Sequence, residues 1–157
     1  SVDAPNKTVF DDICKPKWNQ GAWEKFEQTI DLMPSLDTRT VCRHTLIKGK
    51  NMSLEHIREF AELDNRADPD YIEAKGYVHV GHSQENLAAS NMPSHEDIMA
   101  FSHEIAPLTN RQVLDESRPS RVALIGTEII PIQVPEAEMY FPEDLGIAPP
   151  VKHLPVI

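Results

Sequence analysis

The sequence predicts an α/β fold of parallel strands joined by crossover helices. Two observations lead there. Helical and strand patterns follow one another in the order α, α, β, α, β, α, β, an alternation that calls for crossover connections. The chain has 157 residues, 40% of them hydrophobic and 25% charged, enough for one compact core and unlike a disordered or fibrous chain.

Asn6 can cap a short helix running to about Cys14. After the KPKWNQG break, Ala22, Trp23, Phe26, Ile30 and Met33 recur at helical spacing up to Pro34. The β-branched run Arg39 to Lys48 reads as a strand bounded by Asp37-Thr38 and Gly49. Ser53 caps a second amphipathic helix to about Ala67, with Leu54, Ile57, Phe60, Ala61 and Leu63 on one side. Tyr71 to Val80 is a second strand. Ser94 then opens a helix with an acidic first turn that ends near Ala106, before Pro107, and Arg121 to Ile125 forms the last strand. Beyond Gly126 prolines 131, 135, 142, 149, 150 and 155 preclude a helix or central strand, so residues 128–157 are expected to form an extended Pro-rich tail after a domain of residues 1–127.

Composition excludes several classes of function. Fifteen Lys+Arg against 25 Asp+Glu give a net charge of −10, so a globally basic nucleic-acid footprint is absent and any RNA contact must be local. Cys14 and Cys42 are too few for a disulfide framework or a four-cysteine metal site and suit a reducing cytosol, the expected compartment. The N-terminal stretch lacks a basic region followed by an apolar one, and no apolar run approaches the roughly 18 residues of a membrane span. Opening on Ser1 within a strand-like SVDAP phrase, the chain reads as an excerpt of something longer.

The second strand is the most informative segment. Strict alternation sets Glu73, Lys75, Tyr77 and His79 on one face and Ile72, Ala74, Gly76, Val78 and Val80 on the other. With helices covering the apolar face, the polar row would look into a lumen or cleft; an edge strand with one solvated face gives the same pattern. The first strand repeats this less cleanly, with Arg43 and Thr45 alternating against Cys42, His44 and Leu46. Loops beyond the carboxyl ends of strands nominate Lys48, Gly49, Lys50 and Asn51, then Gly81, His82 and Ser83. Lys48 suits an anion, and Gly81 a close backbone approach to a ligand. His79, His82 and His95 lack the spacing of a metal site, and no G-x-S-x-G elbow supports a hydrolase.

Six phrases in order, SVDAPN, CKPKWNQGAWEKFEQTIDLM, TRTVCRHTLIKGKNM, DYIEAKGYVHVGHS, NMPSHEDIMAFSHEI and RPSRVALI, resemble the C-terminal half of the archaeal-type tRNA 4-demethylwyosine synthases, from Ser1 to about Ile125. The resemblance implies part of a TIM-like (β/α)6 radical S-adenosylmethionine (SAM) barrel with parallel strands, a SAM molecule and a [4Fe-4S] cluster. It further implies a carbon-carbon lyase of wybutosine biosynthesis, which uses pyruvate to convert N1-methylguanosine beside the anticodon of tRNA-Phe. Ser1, Asp3, Arg43, Thr45, Lys48, Asn51, Lys75, Tyr77 and Ser83 match the family phrases at or near strand ends and are carried over as cofactor- and substrate-pocket residues.

The departures are specific. The C-x-x-x-C-x-x-C cluster motif is absent, so the cluster must come from an N-terminal half in the same or a separate polypeptide, and this chain alone would be inactive. Gly81-His82-Ser83-Gln84 has a neutral residue where the family commonly places Arg, and His44 stands where the family is usually apolar, which puts its packing in question. A non-catalytic remnant acting as a binding or assembly module is the competing reading.

Overall fold

The structure is a computed structural model, and it describes residues 1–17 and 21–131. Helix α1 (Lys7–Cys14) is capped by Asn6, whose side chain accepts from the Val9 N–H at 3.0 Å. Helix α2 (Ala22–Leu32) runs into a short 3-10 turn at Met33–Ser35. Strand β1 (Val41–Leu46), helix α3 (Leu54–Ala67) and strand β2 (Tyr71–Gly76) form a β-α-β unit whose two strands pair in parallel. Ser53 and Ser94 cap α3 and α4 (His95–Leu108) as expected, and Ser94 and Asp97 cap each other's backbone N–H reciprocally.

After α4 the expectation of an all-parallel sheet fails. Strand β3 (Gln112–Ser117), absent from the sequence reading, is followed by a tight turn and β4 (Val122–Gly126), and the sheet order is β1-β2-β4-β3. β4 is antiparallel to both β2 and β3. The reason is the connection: only residues 118–121 separate β3 from β4, far too few for the crossover that a parallel return demands. β3 carries a bulge between Val113 and Asp115, which breaks the alternation and hides the strand from a periodicity search.

Two smaller corrections apply. β2 stops at Gly76 rather than Val80, so Val78 and Val80 are exposed instead of joining the apolar face. α4 extends two residues past the expected end, through Pro107 to Leu108. The tail expected at 128–157 falls almost wholly outside the described residues, which end at Pro131.

Register assigns the two faces of the sheet. Cys42, His44, Leu46, Ile72, Ala74, Ala123 and Ile125 point to the helices and join Ile57, Phe60, Ala61, Ile98, Phe101 and Ile105 in one core. Arg43, Thr45, Glu73, Lys75, Val122 and Leu124 occupy the opposite face, over which no helix packs among the described residues. The layers are therefore one-sided.

His44 sits at the centre of the covered face, fully buried beside Phe60 with ring centroids 4.4 Å apart. Its Nδ1 meets the Val2 carbonyl at 2.9 Å and its Nε2 meets Asp64 Oδ2 at 2.8 Å. Burial works against the charged ring, but the Asp64 charge and hydrogen bond, the Val2 carbonyl and Asp3 outweigh it and hold the pKa above the ordinary 6.5. With acceptors at both nitrogens, the ring carries two protons and faces the carboxylate as an ion pair.

Asp64→Ala would leave that imidazolium buried and unpaired, at a cost of about 3–5 kcal/mol, read from the urea midpoint. Because the folded pKa is raised, the contribution of His44 is complete below its unfolded value and is lost as pH rises through the folded one. Unfolding curves taken from about pH 6 upward should therefore show stability falling with pH in the native chain and a flatter profile in His44→Gln. Superimposable profiles would contradict the pair.

Candidate functional site at the open sheet face

Two features build the site: the uncovered face of the sheet, and the loop that follows β2. On the face, Arg43 and Glu73 are cross-strand partners in register and pair through Nε and Oε1 at 2.9 Å. One residue pair further along, Thr45 lies beside Lys75, both half-buried, with Val122 next to Lys75 on β4. The Lys75 ammonium has no ion-pair partner among the described residues. A half-sheltered, uncommitted lysine above an ion pair can receive a carboxylate or phosphate.

The free edge of β1 is occupied by the first residues of the chain. The Val2 N–H donates to the Arg43 carbonyl at 2.7 Å, and Asp3 Oδ1 accepts from the Thr45 N–H at 3.3 Å. Ser1 is exposed at this edge.

Beyond Gly76 the ladder continues for one bond, Tyr77 N–H to the Leu46 carbonyl at 2.9 Å. Tyr77 is buried, its hydroxyl 3.1 Å from His79 Nδ1 and 3.0 Å from Ser83 Oγ. Ser83 lies in a short 3-10 turn at Gly81–Glu85, where Gln84 Nε2 donates to the His79 carbonyl. Gly81 does not serve a close approach: a Cβ there would meet nothing within 4 Å, and its φ of +61° shows that the turn conformation is what requires glycine.

Of the nine residues nominated from sequence, the structure gathers Asp3, Arg43, Thr45 and Lys75 on the open face and its edge, with Tyr77 and Ser83 clustered past the end of β2. Lys48 turns elsewhere, donating to Asp97 Oδ2 at 2.9 Å beside a groove of about 610 Å³ between α3 and α4. That hydrogen bond, with the Ser94 N–H, holds the Asp97 carboxyl below its ordinary pKa. Asn51 is fully buried and accepts from the Ile47 N–H at 2.7 Å while donating to the Asp3 and Thr45 carbonyls at 2.9 Å, which makes it a structural tie. Glu73 and His79 were visible in the alternating row yet not nominated; their pairing with Arg43 and Tyr77 needed register and loop geometry.

No group of three His, Cys, Asp or Glu residues able to hold a metal occurs among the described residues. Cys42 is buried, and burial followed by the nearby Asp64 carboxylate pushes its thiol up to about 12, far from the thiolate an iron-sulfur cluster needs. Cys14 lies exposed at the end of α1. A [4Fe-4S] cluster does not fit this donor set. No helix among the described residues is long and apolar enough to cross a membrane.

Residues 66–127 of this one-sided α/β unit match the family described as wyosine base formation. Across most of its length the chain is similar to the tRNA 4-demethylwyosine synthases. It is 40% identical over 126 residues to the S-adenosyl-L-methionine-dependent enzyme of Pyrococcus abyssi, covering 80% of this chain and 36% of that one. The Methanocaldococcus jannaschii enzyme is 36% identical, over 82% and 39% respectively. A solved structure of TYW1 with a lysine-pyruvate adduct bound superposes with a TM-score of 0.69 at 32% identity, covering 80% of this chain and 39% of that one, and archaeal TYW1 with 0.61 at 28%, covering 80% and 37%. The chain thus spans less than two-fifths of the length of these relatives.

Asn51→Ala leaves the Ile47 N–H and two carbonyls without their partner and should cost about 2–4 kcal/mol, read from thermal unfolding, with faster hydrogen exchange at the Val2 amide. A change below about 0.5 kcal/mol would show that Asn51 is not a tie.

Proposed function

We propose that this chain is one section of a radical SAM tRNA 4-demethylwyosine synthase, a carbon-carbon lyase that uses pyruvate to convert N1-methylguanosine beside the anticodon of tRNA-Phe. The open polar face carries the reading: the four-stranded sheet is covered by helices on one side and bears an ion pair and an uncommitted lysine on the other. A wall of a partial TIM-like barrel has this construction, apolar toward its helices and polar toward a ligand-holding lumen. Similarity over 80% of the chain to enzymes of that name supports it.

The charged groups on this face suit SAM. Lys75 matches its carboxylate, and Glu73 its ammonium. SAM supplies the radical chemistry once reduced by a cluster, and since this chain lacks the cluster's ligands, that group belongs to a cluster-bearing N-terminal half, in the same or another polypeptide. The residues here bind, orient and shelter. A cytoplasmic location follows from the tRNA substrate.

A second reading, a non-catalytic binding or assembly module, is favoured by the missing cysteine triad and by Gln84. The two separate in one experiment. The chain combined with a cluster-bearing half should cleave SAM and yield modified tRNA, and Lys75→Ala should lower kcat/KM by about tenfold or more, the loss of one charge-assisted contact. Tight assembly without turnover would select the module; neither assembly nor turnover would reject both.

A further inference from the structure

The loop after β2 carries a proton count that fixes the state of one histidine. Ser83 has a single hydroxyl hydrogen, and it goes to the Val80 carbonyl at 2.6 Å. Its oxygen therefore accepts from the Tyr77 hydroxyl, 3.0 Å away, which uses the only hydrogen Tyr77 can donate. What remains is the 3.1 Å contact between the Tyr77 oxygen and His79 Nδ1, and it can be filled only if Nδ1 bears the proton. A neutral imidazole protonated at Nδ1 keeps a bare lone pair on Nε2.

The rest of His79 is fixed as tightly. Its N–H donates to Met92 Sδ at 3.3 Å, its carbonyl accepts from Gln84 Nε2 at 3.1 Å, and its ring stands edge-on to Tyr77, centroids 6.3 Å apart. Nε2 has no hydrogen-bond partner among the described residues, and His79 is half-buried just past the carboxyl end of β2. Main chain, Nδ1 and ring plane are held, and one basic atom is left free where α/β sheets present their ligands.

We propose that His79 is a proton acceptor of the reaction, its Nε2 taking a proton from an N–H group of the nucleobase bound at this end of the sheet. Tyr77 and Ser83 are positioning residues that hold the accepting tautomer. In the step the substrate N–H bond breaks, its electron pair stays on nitrogen, and the proton resides on Nε2 as imidazolium until water removes it at the exposed edge. This rests on the functional reading above, but the tautomer itself is independent of it.

Histidine-selective 15N labelling of the full chain reads the tautomer of His79 directly. The expected spectrum is that of the Nδ1–H form, moving toward Nε2–H in Tyr77→Phe; an Nε2–H signal in the unsubstituted chain overturns the proposal. In the assembled, product-forming enzyme, His79→Gln should lower kcat about 100-fold, as loss of a general base does, and Tyr77→Phe about tenfold with KM unchanged. A His79→Gln rate within twofold of the original overturns the proposal whatever the tautomer. Absence of product from the unsubstituted enzyme would instead fail the functional reading, leaving the tautomer measurement to judge His79.

Discussion

One buried ion pair holds three segments of the chain in place. His44 on β1 reaches Asp64 on α3 through one nitrogen and the Val2 carbonyl through the other, with no exposed atom in either side chain. An apolar residue at position 44 would pack against Phe60 equally well, but it could not hold Val2. Through Val2 and Asp3 the N-terminal residues are laid along the free edge of β1, which satisfies the Arg43 carbonyl and the Thr45 N–H. The edge of the polar face is thus defined from the covered face beneath it.

That arrangement accounts for the unequal layers. The apolar side of every strand is spent on α3 and α4, while the opposite side keeps charges that would be expensive under a helix. Arg43 and Glu73 neutralise one another across two parallel strands, so the charge left on that part of the face is Lys75. The strand ends supply what a face cannot: backbone turns, the Tyr77 hydroxyl and an imidazole whose free nitrogen is set by its neighbours.

Much of this was legible in the residues. The capping residues Asn6, Ser53 and Ser94 marked helix starts correctly, and the alternation Glu73, Lys75 against Ile72, Ala74 gave the two faces of β2. Other features depended on interactions that periodicity does not encode. The β3–β4 hairpin hides behind a bulge and a charged stretch, so an α-β alternation was read where the chain doubles back. Lys48 and Asn51 lie at a strand end as barrel reasoning asks, yet Asp97 captures one and three backbone groups bury the other. His44 read as a misfit because its partners, Val2 and Asp64, are 42 and 20 residues away. For Lys48 and His44 the deciding contacts were long-range hydrogen bonds.

The central claim is that the face bearing Arg43, Glu73 and Lys75 lines an interior once the relatives' remaining length is present. Amine-directed labelling of Lys75, followed by peptide mass spectrometry, tests it most directly, with Lys25 on α2 as an exposed reference. The account predicts that Lys75 reacts readily in this chain alone and becomes strongly protected on combination with a cluster-bearing half, while Lys25 is unchanged. Equal reactivity of Lys75 in a combination that makes modified tRNA would place the face in open solvent and contradict the account.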